Sequence, residues 1–228
     1  MRTFAIGDIH GAHKALLQCL ERSRFDYQKD HLIVLGDVCD GYPEVRQCID
    51  ELLKIERCDF IIGNHDQWAL DWALRGYKPK IWISQGGDRT IASYDGGPMP
   101  KAHFDFLMSG KFWLELDRQV FVHGGFYPSI PLVKQTSHTL MWDRDLLDMA
   151  RKSHSAGVKE KFGGFEDIFL GHTTTQMYGG VLPLHFCNIW DLDTGGGFSG
   201  KLTIMDVKTK EFWQSDPSHE LYIGVPGR

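Results

Sequence analysis

Five times along the chain an apolar run rich in β-branched and aromatic residues stops at a glycine or histidine and turns polar. The runs are TFAIGD (Thr3 to Asp8), LIVLGD (Leu32 to Asp37), FIIGN (Phe60 to Asn64), VFVH (Val120 to His123) and IFLGH (Ile168 to His172). Short apolar runs bounded by turn residues are the mark of strands buried in a sheet. Parallel strands deliver their C-terminal ends to one edge, and ligands collect in the crevice beyond that edge. A chain that repeats this plan is held to an α/β fold whose polar strand ends meet. Those ends and their neighbours supply Asp8, His10, Asp37, Asn64, His123 and His172. Carboxylate, imidazole and amide donors suit hard to borderline divalent ions.

The segments between the runs alternate with them. Ala15, Leu16, Cys19 and Leu20 form an apolar stripe over 12–24, and Val45, Cys48, Ile49, Leu52 and Leu53 form another after Pro43, so both segments read as helices. Strand, helix, strand, helix, strand implies parallel pairing with right-handed crossovers. Residues 67–74 continue as a helix. Residues 76–113, broken by Gly86, Gly87, Gly96, Gly97, Pro98 and Pro100, read as an irregular or helical insertion over one rim of the site. Strands return at 112–116 and 118–122 around a tight hairpin, and a helix is expected over 145–152. Residues 168–170, 182–186, 188–192, 201–206 and 211–213 read as strands, and the lack of helices after Gly171 suggests a second, mixed or antiparallel sheet. Two sheets flanked by helices are the simplest assembly, in one domain spanning 1–228.

Composition narrows the function. Hydrophobic content of 42% is enough for a sizeable core. A net charge of −5 without a basic stripe argues against nucleic acid or an anionic membrane as partner. The five cysteines form no CxxC pair, which argues against a disulfide scaffold or a sulfur-ligated zinc site. No apolar stretch approaches the roughly 20 residues that span a bilayer, and the chain opens on a strand rather than a signal peptide. The expectation is a cytoplasmic protein.

Singly, each candidate has a plainer role. Asp8 or Asp37 alone reads equally as a helix N-cap, Asn64 as a turn or cap residue, and His123 or His172 as a structural hydrogen bonder. As a set they read as a two-metal centre. Asp8 and His10, two apart at a strand end, face one ion by the alternation of a strand. Asp37 is the candidate bridge, each of its oxygens taking one ion.

The order GDIHG (Gly7 to Gly11), GDVCDG (Gly36 to Gly41), GNHD (Gly63 to Asp66), VHGG (Val122 to Gly125) and FLGHTTT (Phe169 to Thr175) resembles the calcineurin-like metallophosphoesterases. Within them it is most similar to small bacterial and phage serine/threonine phosphatases of the PPP type and to diadenosine-tetraphosphate hydrolases. The resemblance covers nearly the whole chain, including DTGGG (Asp193 to Gly197), where Asp193 is expected to cap or tie the loop beside the metals. It implies a four-layered α/β/β/α sandwich with two central mixed sheets. It also implies two divalent ions, manganese first, with iron, zinc or magnesium as alternatives. Asp8, His10 and bridging Asp37 would hold one ion, and Asp37, Asn64, His123 and His172 the other. A metal-bridging hydroxide would attack phosphorus in line while His65, oriented and kept charged by Asp40, protonates the leaving oxygen.

The implied activity is hydrolysis of phosphomonoesters on a phosphorylated protein, peptide or small molecule. The alternatives are dinucleoside-polyphosphate or phosphodiester hydrolysis and, last, a non-catalytic interaction protein. The chain departs from the family pattern at one point. The phosphatases carry GDxxDRG, with an arginine that grips phosphate, whereas here Gly41 follows Asp40. Arg144, in MWDRD, resembles the second family arginine and is the expected clamp, against a rival role as ion-pair partner of neighbouring aspartates. Arg46 and Arg89 are further substitutes. His185 reads as an edge histidine, and the tryptophans as core or rim packing.

Overall fold

The computed structural model describes residues 1–228. The first half runs β1 (Thr3–Ile6), α1 (His13–Arg22), β2 (His31–Val34), α2 (Val45–Leu52), β3 (Cys58–Phe60) and α3 (Asn64–Arg75). The rim segment follows with α4 (Lys80–Trp82), a π-helical turn (Ile83–Gly87), α5 (Asp88–Ser93) and α6 (Lys101–Met108). Next come β4 (Trp113–Leu116), β5 (Gln119–Val122), α7 (Ser137–Trp142), α8 (Asp145–Ser155) and β6 (Asp167–Leu170). The chain finishes with β7 (Leu184–Phe186), β8 (Ile189–Asp191), β9 (Thr203–Asp206), β10 (Phe212–Gln214) and α9 (Ser218–Leu221). No helix is long and apolar enough to cross a membrane.

Two five-stranded sheets result, in the orders β10-β9-β1-β2-β3 and β4-β5-β6-β8-β7. In the first, β1, β2 and β3 are parallel and β9 and β10 antiparallel. In the second, β5, β6 and β8 are parallel, with β4 and β7 as antiparallel edges. The late strands therefore divide between the sheets. β9 and β10 were expected alongside β7 and β8, but they return to β1, where Phe4, Ala5 and Ile6 pair with Asp206, Met205 and Ile204. The alternation of apolar residues gives a strand's two faces but not its neighbour.

That alternation makes the layers. Ala5, Ile33, Phe121, Phe169 and Met205 cluster between the sheets, where the Phe121 and Phe169 rings stack at 4.9 Å and 7°. Such aromatic pairs contribute about 0.5–1.5 kcal/mol beyond their area. Their neighbours Phe4, Ile6, Leu32 and Val34 face α1 and α2 with Leu16, Cys19, Val45 and Ile49. Val120, Val122, Ile168 and Leu170 face α8 through Leu146, Leu147 and Ala150. The order is helix, sheet, sheet, helix. Fully burying each large aliphatic or aromatic side chain stabilises the fold by roughly 1.5–3 kcal/mol. The β4–β5 hairpin turns at Asp117 (φ 48°) and Arg118 (φ 65°), both left-handed, which matches the twist of the strands it joins.

α3 begins three residues earlier than the apolar pattern suggests, at Asn64 rather than Gln67. Asp66 Oδ2 accepts from Gly63 N at 3.0 Å and its Oδ1 accepts from Val38 N and Cys39 N, so one buried carboxylate ties the start of α3 to the loop after β2. The consequence is positional. Asn64 and His65 lie in the first turn of the helix, where unpaired backbone N–H groups favour anions.

Candidate active site

The five polar strand ends lie at one edge of the two sheets, and several of the loops beyond them are strained. His10 (φ 47°), Asp37 (φ 47°), Asp40 (φ 71°) and His172 (φ 67°) adopt the left-handed conformation that non-glycine residues avoid. Strain of this kind persists only where the surroundings enforce it, and it concentrates at functional sites. Asp8 and His10 meet because the chain turns after Ile6, not because a strand alternates through them. Close approach shapes the rest. A Cβ on Gly63 would stand 2.1 Å from Asp37 Oδ1, so only glycine lets the start of α3 reach that carboxylate.

Two groups of donors form, Asp8 with His10 and Asp37, and Asp37 with His123 and His172, the atoms of each group within 4.8 Å of one another. Asp37 is common to both. Its Oδ2 lies 3.6 Å from His10 Nε2 and 3.3 Å from His123 Nε2, while Oδ1 accepts from His65 N at 3.0 Å. One oxygen faces both groups, where the sequence reading gave each oxygen its own ion; the first-turn N–H of α3 has claimed the other. Asn64 Oδ1 stands 3.2 Å from His123 Nε2, which brings it to the second group.

Hydrogen bonds set the tautomers. His10 Nδ1 donates to Cys39 O at 2.8 Å and His123 Nδ1 to Leu35 O at 2.7 Å, leaving each Nε2 lone pair pointed at the carboxylates. His172 N donates to both oxygens of Asp8 at 3.1 Å.

These groups fit divalent ions. Asp37 Oδ2 and both ring nitrogens of His172 are buried without a hydrogen-bond partner, and orphaned buried polar atoms are costly unless something binds them. Burial, then Asp193 and Asp37, push the Asp8 carboxyl well above its ordinary range, more than the bond from His172 and the charge of Arg228 offset. Burial also pushes Asp37 up, but His123, His65 and His10 together hold it well below the usual range. Burial holds His10 and His172 neutral, the state in which imidazole ligates metal. Burial opposes protonation of His123 as well, yet Asp37 draws its pKa up. An ion would take the place of that proton.

His65 and Asp40 form a second assembly beside the first. His65 Nδ1 donates to Asp40 Oδ2 at 2.5 Å, and Asp40 also accepts from Trp82 Nε1 at 2.8 Å and from Thr90 Oγ1 at 2.5 Å. The carboxylate and imidazole are fully buried, and His65 Nε2 has no partner. Burial lowers the His65 pKa to about 3, so the imidazole rests neutral; the expectation that Asp40 keeps it charged is corrected. Burial raises Asp40, and the bonds from Thr90 and Trp82 oppose that rise. Trp82 and Thr90, which the sequence reading did not single out, come from the rim segment. Thr90 ends the GGDRT stretch (Gly86 to Thr90), which resembles the family's pattern without revealing the contact to Asp40.

An aromatic arc closes one side. His65 packs edge-on against Trp68 (5.0 Å), Trp68 against Trp142 (5.3 Å), and Trp142 against His172 (5.9 Å). Beyond Trp142 lies a pocket of about 290 Å³ lined by Tyr127, His138 and Arg144 among others. Arg144 is exposed and makes no ion pair. Asp143 instead caps α8 through Leu146 N at 3.0 Å, and Asp148 pairs with Arg151 and Lys152. Burial, then the positive charge of Arg228, lower the Arg144 pKa against the pull of Asp37, Asp8 and Asp193. Arg89 lies 3.7 Å from Asp88, and Arg46 is placed by its backbone bond to Ser93; neither pairs with a site residue. Asp193 accepts from Gly195 N at 3.1 Å, tying the loop beside Asp8, and His185 stacks on Trp190 at 3.9 Å at the sheet edge.

The model of the family described as calcineurin-like phosphoesterase matches residues 1–194, and the chain belongs to that family. Its two donor groups form the dinuclear metal-binding site of a metallophosphoesterase. Among curated relatives, a Salmonella typhimurium protein named serine/threonine-protein phosphatase 1 is 29% identical over 213 residues, covering 90% of this chain and 91% of the relative. A symmetrical bis(5'-nucleosyl)-tetraphosphatase from Methylobacillus flagellatus is 31% identical over 129 residues, covering 56% of this chain and 44% of that protein. Two solved structures share the fold. A metallophosphoesterase from Sphaerobacter thermophilus has TM-score 0.59 and 17% identity, over 99% of this chain and 95% of its own. A cold-active protein-tyrosine phosphatase from a Shewanella species has TM-score 0.60 and 16% identity, over 94% of this chain and 80% of its own.

Proposed function

We propose that the protein is a metal-dependent phosphomonoesterase that acts on phosphoserine and phosphothreonine in proteins or peptides. The observation that carries this reading is the free Nε2 of His65, fixed by Asp40 at the border of two donor groups that share Asp37. The Salmonella phosphatase supports the substrate class, because the likeness runs through nine-tenths of both chains. The tetraphosphatase likeness covers under half of that enzyme, but the glycine at position 41 favours keeping dinucleoside polyphosphates as a second reading.

Asp8, His10 and Asp37 would hold one ion, and Asp37, Asn64, His123 and His172 the other. Manganese is our choice for loading, since nitrogen and oxygen donors accept it readily. What the pair supplies when bound is Lewis-acid charge at the phosphoryl oxygens and a nucleophile drawn from water at neutral pH. The chain's residues do the remainder. With Nδ1 committed to Asp40, His65 has only Nε2 free to pass a proton to a departing oxygen. An arriving phosphate dianion opposes the burial that keeps this ring neutral, so proton uptake accompanies substrate. Arg144 grips the phosphoryl oxygens through paired N–H groups and orients the ester toward His65. Five unpaired cysteines support a reducing, cytoplasmic setting.

The test is a panel on manganese-loaded protein, comparing kcat/KM for phosphoserine, phosphothreonine and phosphotyrosine peptides, a phosphodiester and a dinucleoside polyphosphate. Preference for phosphoserine or phosphothreonine is the expected result. Preference for the dinucleotide overturns the reading.

A further inference from the structure

Position 41 lacks the arginine and is unfavourable to any side chain. Gly41 has φ +75°, and a Cβ there would sit 3.0 Å from both Cβ and O of His10. The π-helical turn closes the other side, where a Cβ on Gly86 would stand 2.6 Å from Gly41 N. A side chain at 41 would therefore strain the backbone and crowd the loop that positions His10.

A different guanidinium reaches the same edge. Arg228 Nη1 lies 3.0 Å from His10 Nε2 and 3.9 Å from Asp37 Oδ2, with its side chain only 16% exposed. The segment that carries it is docked, not draped. Tyr42, next to Gly41, stacks on Tyr222 at 4.5 Å and 25° and donates to Phe198 O at 2.6 Å. Arg228 N donates to Gly197 O at 2.8 Å, and its guanidinium lies 5.1 Å from the centre of the Phe198 ring. Gly227 packs so closely on Gly197 that a Cβ there would stand 2.4 Å from Gly197 O. Tyr222 OH also donates to Glu44 Oε2, holding the tail to the start of α2.

The guanidinium pairs only loosely with Asp37, at 3.9 Å, while its nearer acceptor is Nε2 of His10. That nitrogen is the lone pair His10 would offer a metal. Once it is committed to an ion, Arg228 loses its acceptor and stands beside a cation. A phosphoryl group entering there satisfies it, as paired guanidinium donors fit phosphate oxygens.

We propose that Arg228, delivered by the tail that docks on Tyr42, binds the phosphoryl group of the substrate together with Arg144, in place of the arginine that position 41 lacks. This assignment rests on the metallophosphoesterase site but not on which phosphate ester is preferred.

The test uses the manganese-loaded full chain, with Arg228→Ala and Arg228→Lys beside wild type. It reads metal content, thermal midpoint and the binding of inorganic phosphate by calorimetry. The expected result is unchanged metal content and midpoint, phosphate binding weakened by about 10- to 100-fold in Arg228→Ala, and partial recovery in Arg228→Lys. Phosphate binding equal to wild type in Arg228→Ala overturns the proposal, and if metal then binds more tightly, Arg228 is a competitor for the metal position. Loss of metal from Arg228→Ala, or no phosphate binding by wild type, also overturns it. If phosphate binding depends on Arg228 while wild type prefers a dinucleotide, this proposal stands and the phosphomonoester reading fails.

Discussion

The two sides of the active site are built differently. On the metal side, Asp8, His10, Asp37, Asn64, His123 and His172 are all buried; five sit on loops just beyond strand ends and Asn64 opens α3. Short hydrogen bonds fix them, from His10 to Cys39 O, from His123 to Leu35 O and from the first turn of α3 to Asp37. On the phosphate side, Arg144 stands exposed at the start of α8 without an ion pair, and Arg228 arrives on a tail held by backbone and aromatic contacts. Rigidity follows charge density. Donors gathered around a compact ion must be held before it binds, because small errors in ligand position cost affinity. A phosphate is larger and enters and leaves on every turnover, so long guanidinium side chains suffice on that side.

That contrast breaks most severely at Asp37. Asp37→Asn should cost at least one ion per chain, read by elemental analysis, and lower turnover more than any other single change; full metal content with full rate would remove Asp37 as the shared ligand. Next comes His65→Asn, which should keep its metal and lose about 10²–10⁴ in kcat, the range for general acid catalysis. A variant as fast as wild type would strip His65 of that role. Arg144→Ala, on the adaptable side, should lose about 10- to 100-fold in kcat/KM with metal content intact, as for removal of a charge-assisted hydrogen bond. If metal leaves with Arg144, the two sides are not separable.

Smaller effects sharpen the same line. Trp82→Phe deletes one donor to the buried Asp40 and should lower stability by about 1–3 kcal/mol, the cost of an unsatisfied buried acceptor, in a denaturant titration. It should slow turnover less than His65→Asn. His185→Phe, at the sheet edge, should leave kcat/KM unchanged; a deficit there would extend the site to β7.

The gathering of the metal-side residues is legible in the sequence because each follows a buried strand, and parallel strands end at one edge. What escaped was long-range. The partners of Asp40 are a tryptophan and a threonine in an irregular segment, and no periodicity marks them. Arg228 escaped because nothing around it has a pattern; only the glycine at position 41 hints that another arginine is needed. The return of β9 and β10 to β1 escaped for a similar reason, since alternation says which face of a strand is buried and not which strand lies beside it. The start of α3 shifted because its cap is a glycine served by Asp66, a polar arrangement that an apolar pattern passes over.

The central claim is that Asp37 would be the ligand common to two ions. Electron paramagnetic resonance of protein titrated with manganese tests it most directly, because ions bridged by one carboxylate, roughly 3.5–4 Å apart in two-metal sites, couple their spins. The account predicts uptake of a second equivalent, with the isolated-ion signal giving way to a coupled spectrum and Asp37→Asn failing to produce it. Saturation at one ion, or two ions that never couple, would contradict it.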